Sequence, residues 1–187
     1  MDIIVPRHSL DVTGVNQHDG LSAERRFHMK CEYMMGWSVV ESSTTENCRD
    51  HIDCWVNVSS KGKHIGCFSV DVKAAKRIAR RDASGNMAPV QDKYHWVEWT
   101  GRSGYNGWVR GKAKWIAFSM CDGSFLMVNR ANLEAYVGPL IEAKRDVFPK
   151  TQWDCVDGIL WKRQGNKDEM TLISSDQLRE LKGTWTI

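Results

Sequence analysis

Residues 51–73 read HIDCWVNVSSKGKHIGCFSVDVK and contain two β-strand patterns separated by a glycine-bearing turn. In the first pattern, His51 to Val58, apolar residues alternate with polar ones. In the second, Ile65 to Val72, the same alternation continues from Phe68 onward. Lys61-Gly62-Lys63 stands between them with the composition of a tight turn. The stretch therefore predicts a β-hairpin with one aliphatic face and one polar face.

Three charged side chains of this hairpin fall opposite its aliphatic face. Asp53 lies on the first strand, and Asp71 and Lys73 lie two positions apart on the second, so they share a face. Two carboxylates can hold a hard divalent cation through oxygen ligands. A nearby ammonium can orient an attacking water or offset negative charge that develops on a phosphate. The spacing therefore predicts a site for metal-dependent phosphodiester hydrolysis, and a solvent-facing strand with a fortuitous Asp-x-Lys is the alternative.

Around the hairpin the periodicity predicts further helices and strands. A helix over Ser22–Met35, with Gly36 just past its end, precedes it. The strand patterns are Trp37–Ser42, Tyr94–Trp99, Lys114–Met120 and Phe125–Val128, with two short ones around Ile159 and Leu172. One helical pattern covers Asn132–Lys144 and is interrupted near Gly138-Pro139. A closing helix is predicted from the capping pattern Ser174–Gln177. This order predicts an α/β or α+β domain with a mixed sheet.

The hairpin residues in this context resemble the PD-(D/E)XK nuclease superfamily, which includes restriction endonucleases, phage exonucleases and Holliday-junction resolvases. The resemblance covers residues 22–130, with Asp53 as the first acid, Asp71 as the second and Lys73 as the lysine. Ile52 replaces the proline of the motif, and Asp71 stands where glutamate is commoner. The resemblance implies a core of helix, antiparallel strands, helix and strand. It also implies a nuclease whose expected substrate is DNA in preference to RNA. In such a nuclease Asp53 and Asp71 would bind Mg²⁺ or Mn²⁺, and Lys73 would position the attacking water.

Many members of that superfamily add a carboxylate from the first helix, and two acids here are candidates. At about 100° per residue, Glu24 falls inside the apolar arc of the helix and Glu32 falls on its outer side. A carboxylate inside an apolar arc has to be paired, hydrogen-bonded or bound to a metal. Glu24 is therefore predicted as a further catalytic and metal-binding residue, and an ion pair with a Lys or Arg is the alternative.

Two basic groups favour nucleic acid as the partner. The first follows the hairpin directly and comprises Lys76, Arg77, Arg80 and Arg81; the second comprises Arg110, Lys112 and Lys114, interleaved with Tyr105, Trp108 and Trp115. Lysine and arginine neutralise backbone phosphates, and exposed aromatic rings stack on bases. A solvated loop and tryptophans that pack in the core are the respective alternatives.

Composition bounds the class of protein. The chain has 187 residues, 42% apolar and 26% charged, which excludes collagen-like and disordered classes. We predict an N-terminal arm (1–21), a nuclease-like core domain (22–145) and a C-terminal extension packing on the core (146–187). With neither a signal-peptide pattern nor a membrane-spanning stretch, a cytoplasmic location is expected, that of the host cell if the chain is phage-encoded. Both a monomer and a homodimer are compatible with the sequence.

Two rival functions are also compatible with the sequence. One is a nucleic-acid-binding protein without catalysis, using the basic and tryptophan-rich surfaces. The other is a zinc-binding module built from Cys48, Cys54, His64 and Cys67, although their spacing lacks the short pairs typical of zinc sites. The six cysteines include no CxxC pair, which favours buried thiols over disulfides.

Overall fold

The computed structural model describes residues 15–78, 84–143, 160 and 167–187. Three α-helices and eight strands occur in the described residues, which confirms the predicted mixture of α and β structure. The elements are α1 (Val15–Met29), β1 (Ser38–Glu41), β2 (Cys54–Ser60), β3 (Lys63–Lys73), β4 (Tyr94–Thr100), β5 (Trp115–Ser119), β6 (Phe125–Asn129), α2 (Arg130–Ala143), β7 (Glu169–Ser174), α3 (Ser175–Glu180) and β8 (Trp185–Thr186).

Six strands form one mixed sheet in the order β1-β2-β3-β5-β6-β8. All neighbours are antiparallel except β3 and β5, which run parallel. Strands β4 and β7 form a separate antiparallel pair. Between β3 and β5 the described residues form β4 and a 3₁₀ turn at Trp108–Arg110. The antiparallel unit β1-β2-β3 is thus followed by a parallel neighbour.

The predicted hairpin is confirmed as β2 and β3. Ser60 pairs with Lys63, so the loop has two residues, Lys61 and Gly62. Both have positive φ, 50° and 73°, as the right-handed twist of a two-residue hairpin requires. Strand β2 begins at Cys54, later than the predicted His51, because His51 has left-handed φ and ends a π-helical turn over Glu46–Asp50.

The two faces of the large sheet bury separate apolar clusters. Helix α1 and the π-helical turn that follows it cover one face, where Ala23, Phe27 and Cys31 share a cluster with Cys54 and Val70. Helix α2, α3 and the β4-β7 pair cover the other. Residues that the alternation pattern assigned to a polar face of β3 are therefore enclosed on the second side, and Ser69 and Asp71 are both buried. Sequence alternation alone would have left this face in solvent, because the covering elements come from distant parts of the chain.

The first helix differs from prediction at both ends. It begins at Val15 and not at Ser22, because the polar run before Ser22 carries no apolar periodicity from which a helix could be read. After Met29 it widens into a π-helical turn, Lys30–Met34, and Gly36 (φ 64°) lies just past the helical residues, as predicted. The 100° rule fails in a π-turn. Met34 and Met35, which an ideal 100° wheel places in the same apolar arc as Ala23 and Phe27, are consequently 72% and 39% exposed.

The predicted break at Gly138-Pro139 is wrong, since α2 runs through Pro139 to Ala143. An interior proline removes one backbone hydrogen bond and costs about 3 kcal/mol. Leu133, Val137 and Ile141 of the same helix are fully buried, and each such side chain contributes about 1.5–3 kcal/mol. Packing of α2 against the sheet therefore outweighs the local cost of the proline.

The described part of the predicted C-terminal extension contributes to the same two sheets. Strand β7 pairs with β4, β8 pairs with β6, and Leu160 and Leu178 are buried in the core. The predicted cap of α3 is confirmed, because the Ser174 hydroxyl accepts a hydrogen bond from the Gln177 amide at 3.2 Å. The strand predicted around Ile159 lies outside the described residues, as do residues 1–14 of the predicted arm.

Of the helices in the described ranges, none combines the length and apolarity that a bilayer-spanning segment needs.

Candidate active site

Asp53 and Asp71 lie beside each other where β2 begins. Cys54 pairs with Val70 across the β2–β3 ladder, so Asp53 is one step beyond that pair and comes opposite Asp71. The Asp53 amide donates to the Val70 carbonyl at 2.8 Å, which holds the two backbones together at this point. Both aspartates are buried, with 6% of Asp53 and 0% of Asp71 exposed. The first two predicted acids are therefore brought together.

The carboxylate of Asp53 is fixed by donors to both oxygens. Oδ1 accepts a hydrogen bond from Asn47 Nδ2 at 2.7 Å, and Oδ2 accepts one from the Val72 amide at 2.7 Å. Asn47 belongs to the π-helical turn over Glu46–Asp50, whose start is closed by reciprocal hydrogen bonds between Ser43 and Glu46. The loop before β2 thus positions Asp53 from two sides.

Asp71 is held less completely. Its Oδ1 accepts a hydrogen bond from Lys73 Nζ at 2.5 Å, and the same ammonium lies 5.1 Å from the ring centre of Trp108. Its Oδ2 is buried and has no hydrogen-bond partner among the residues that the structure describes. A buried carboxylate oxygen without a donor is unfavourable. A cation or a proton at this oxygen would remove that unfavourable free energy.

The pKa of Asp71 records this environment. Burial raises the pKa of its carboxyl well above the usual range, the Lys73 ammonium opposes that rise, and the neighbouring Asp53 carboxyl adds to it. Two carboxyls that repel each other in this way are a common arrangement of catalytic and metal-binding sites.

A pocket of about 590 Å³ opens beside Asp53, between α1 and the loop after β1. Its lining residues come from α1, the end of β1, the following loop and the start of β2; they are Leu21, Glu24, Arg25, His28, Glu41, Ser42, Thr44, Asn47 and Asp53. Glu24 and Asp53 thus share one pocket. Asp71 and Lys73 are not among its lining residues.

The thiol of Cys54 is buried within range of the charges of three acids. The pKa of its thiol is raised by burial first, and then by charges that include Asp53, Glu24 and Asp71. Glu32, the other acid of the first helix, is exposed in the π-helical turn. Of the two glutamates, Glu24, which falls inside the apolar arc, therefore shares a pocket with Asp53.

The fit of a metal ion depends on the donor atoms that these side chains offer. The described ranges contain no group of three or more His, Cys, Asp or Glu side chains already spaced to hold an ion. This also applies to the alternative zinc set, whose members do not form such a group. The unpartnered buried Oδ2 of Asp71 beside Asp53 nevertheless offers the hard oxygen donors that Mg²⁺ and Mn²⁺ prefer. These donors match a divalent cation in atom type, without an already assembled group of three ligands among the described residues.

The predicted basic residues are not alike in their surroundings. Arg77 Nε donates to the Ala88 carbonyl at 2.6 Å, and Arg110 lies 5.0 Å from the Trp99 ring centre, so both are partly engaged. The exposed ones are Lys76, Lys112 and Lys114; Lys112 also forms a surface ion pair with Asp50 at 3.0 Å. Arg80 and Arg81 lie outside the described residues.

The tryptophans of the second basic group belong to the core. Trp108 is buried in the cluster under α2, and Trp115 makes edge contacts with Phe68 and Trp185. Neither presents a free ring for base stacking. Tyr105 is the exposed aromatic residue of that stretch.

A buried pair elsewhere, His95 and Ser175, has the composition of a nucleophile and its base. Ser175 Oγ donates to the Asp92 carbonyl and contacts His95 Nε2 at 2.9 Å. Burial lowers the pKa of His95 to about 4. With its proton already on a carbonyl, the serine receives a hydrogen from the imidazole and does not give one up. The pair ties β4 to α3 and is structural.

Sequence reasoning missed Asn47, His28 and Glu41. Ser43-Thr-Thr-Glu46 is a capping-box pattern that could have indicated the turn carrying Asn47. His28 follows Glu24 by one helical turn and so shares its face, which a wheel could have shown. No local signal places Glu41 at the pocket, because its position depends on the pairing of β1 with β2.

Comparison with protein-family models, with curated proteins and with solved structures gave no match to this chain. The functional argument therefore depends on the geometry of the site.

Proposed function

We propose that this protein is a metal-dependent nuclease that hydrolyses phosphodiester bonds in nucleic acid, with DNA as the expected substrate. The observation that carries the proposal is the buried carboxyl pair Asp53 and Asp71, in which Asp71 Oδ2 has no donor among the described residues. Asp53, Asp71 and Glu24 are the residues that would hold Mg²⁺ or Mn²⁺. Arrangement of α1, β1-β2-β3 and β5 as a PD-(D/E)XK-like core belongs to the same proposal.

Charge on the pocket supports the need for a cation. Glu24, Glu41 and Asp53 line it against one arginine, Arg25. A polyanion would be repelled from this wall unless a divalent ion offset the carboxylates. When bound, the ion would polarise the scissile phosphate and lower the pKa of an attacking water.

The protein side chains have separate roles in this proposal. Asn47 and the Val72 amide hold the Asp53 carboxylate in one orientation. Lys73 is hydrogen-bonded to Asp71 and offsets part of the negative charge of the carboxyl pair. Once a bound cation offsets that charge instead, the Lys73 ammonium would orient the attacking water. Glu24 adds a further carboxylate from α1 to the pocket that Asp53 lines.

The test is cleavage of labelled DNA by purified protein in Mg²⁺ or Mn²⁺, with and without EDTA. We expect cleavage with either metal and none with chelator, because in this proposal the attacking water is activated by the bound ion. Thermal unfolding with added Mn²⁺ gives an independent readout, and a rise in midpoint is expected because the ion binds the folded chain. Undiminished cleavage in EDTA would contradict the proposal. Metal-independent DNA binding without cleavage would favour the non-catalytic alternative.

The exposed lysines should set the salt dependence of binding. Replacing Lys76, Lys112 and Lys114 together by alanine is expected to weaken binding of a single-stranded oligonucleotide. It should also flatten the log–log salt slope by about 0.7 for each phosphate that is no longer neutralised. The matched control replaces Lys61, Lys63 and Lys167, which are also exposed and change the net charge equally. Equal slopes for the two triple variants would remove the first group from the interface.

A further inference from the structure

The catalytic pair is set back from the surface. Asp71 is fully buried, Asp53 is 6% exposed, and Asp53 meets solvent at the pocket between α1 and the loop after β1. A phosphate can approach this pair by entering the pocket. Which form of nucleic acid can bring a phosphate into the pocket therefore depends on the shape and stiffness of its backbone.

A continuous duplex is poorly suited to such entry. Its phosphates lie on the outside of a stiff rod, where surface lysines and arginines reach them readily. Moving one phosphate into a recess requires a sharp local bend or the opening of base pairs, each of which costs free energy. A single strand bends at every nucleotide and has no partner strand to separate.

The size and lining of the pocket fit a single nucleotide. About 590 Å³ is within the range of sites that enclose one small molecule. Its wall combines an apolar side chain, Leu21, with the Thr44 hydroxyl and the Arg25 guanidinium. An apolar contact suits a base, and the hydroxyl and guanidinium are donors suited to a phosphate.

We infer that the pocket admits one nucleotide of a single strand, so that the substrate is single-stranded nucleic acid or an unpaired segment and not continuous duplex. This inference rests on the proposed nuclease function, whose substrate class it specifies. Thr44 and Arg25 are then contacts that recognise the strand, while Asp53, Asp71 and Glu24 carry the chemistry.

Binding provides the first test, independently of cleavage. The Asp71→Asn variant is titrated with a fluorescent single-stranded oligonucleotide and with the duplex of the same sequence. We expect the single strand to bind at least about tenfold more tightly. Adding Thr44→Trp, which fills the pocket, should weaken single-strand binding about tenfold. Ser60→Trp is the control, since Ser60 is exposed at the opposite end of β2, roughly 20 Å from Asp53 at about 3.3 Å per residue.

A second variant guards against misfolding. Arg25→Gln, at an exposed position of α1, removes the cation without adding bulk and should weaken single-strand binding severalfold. Equal affinity for single strand and duplex would overturn the inference. So would Thr44→Trp and Arg25→Gln variants that bind as tightly as the Ser60→Trp control.

Cleavage separates this inference from the nuclease proposal. Wild-type protein in Mn²⁺ is given a single-stranded circle and a relaxed duplex circle of the same sequence. Preferential cleavage of the single-stranded circle supports both ideas. Equal cleavage of the duplex circle overturns the single-strand inference and leaves the nuclease proposal standing. Single-strand binding that depends on the pocket, without any cleavage, contradicts the nuclease proposal and leaves the single-strand preference of the pocket standing.

Discussion

Replacing Asp71 by asparagine is expected to abolish metal-dependent cleavage and at the same time to stabilise the metal-free protein. The amide keeps the shape of the side chain and an oxygen that can accept the Lys73 hydrogen bond, but it removes a negative metal ligand. We expect the rate to fall at least a thousandfold, which corresponds to about 4 kcal/mol in the barrier. Cleavage rates in Mg²⁺ and Mn²⁺ measure the first effect.

The stability effect follows from the direction of the pKa shift. The pKa of the Asp71 carboxyl is raised in the folded chain relative to its ordinary value of 3.8. Between the ordinary and the raised pKa the folded chain binds more protons than the unfolded chain, so stability falls as pH rises through that window. Asparagine does not ionise, so the stability of the variant does not fall with pH for this reason. The variant should therefore gain more stability over wild type at pH 8 than at pH 4.

Chemical unfolding of both proteins in EDTA at the two pH values measures this gain. Asp176→Asn is the matched control, because Asp176 lies on the surface of α3 and its exposed ion pair with Arg179 contributes little. We expect no comparable gain from it. An Asp71→Asn variant that is less stable than wild type at pH 8 would show that the charged pair with Lys73 supports the fold, and Asp71 would then be structural.

The residues of this pair also show how far the sequence can be interpreted. Alternation in β3 correctly placed Asp71 and Lys73 on one side, and they are in direct contact. It could not show that this side is covered, because the covering elements, α2, α3 and the β4-β7 pair, come from elsewhere in the chain. The burial that gives Asp71 its raised pKa is therefore a long-range property. Local patterns do not contain it.

Asp53 shows the same limit on a shorter scale. The strand pattern placed it at the start of the hairpin, and the structure does so too. Its carboxylate orientation depends on Asn47 and on the π-helical turn that carries it. Such turns have no periodicity that a 3.6-residue or two-residue pattern detects. The sequence therefore predicted that Asp53 and Asp71 lie together and did not predict the groups that orient them.

The first helix provides a direct comparison between two glutamates. Glu24 and Glu32 differ by about 80° on an ideal α-helical wheel. The structure strengthens the distinction, because Glu24 is partly buried and lines the pocket with Asp53, whereas Glu32 is exposed in the π-helical turn. Each substitution to glutamine keeps the side-chain shape and removes one charge. The two variants are therefore matched in everything except position.

Glu24→Gln is expected to reduce cleavage about a hundredfold, or about 2.7 kcal/mol in the barrier, and Glu32→Gln to leave it near the wild-type rate. The size follows from metal sites, where removing even an outer hydrogen-bond partner of a ligand costs about 10–100-fold, so that the loss of a ligand should cost at least as much. Rates measured over a range of Mn²⁺ concentrations show whether the loss comes from metal binding, because partial rescue of Glu24→Gln at high Mn²⁺ indicates weakened binding of the ion. Unfolding of each variant checks that the fold is retained. A larger loss from Glu32→Gln would place the catalytic face of the helix on its other side. Small and equal losses would confine the metal ligands to Asp53 and Asp71, because α1 would then contribute no charge to the reaction.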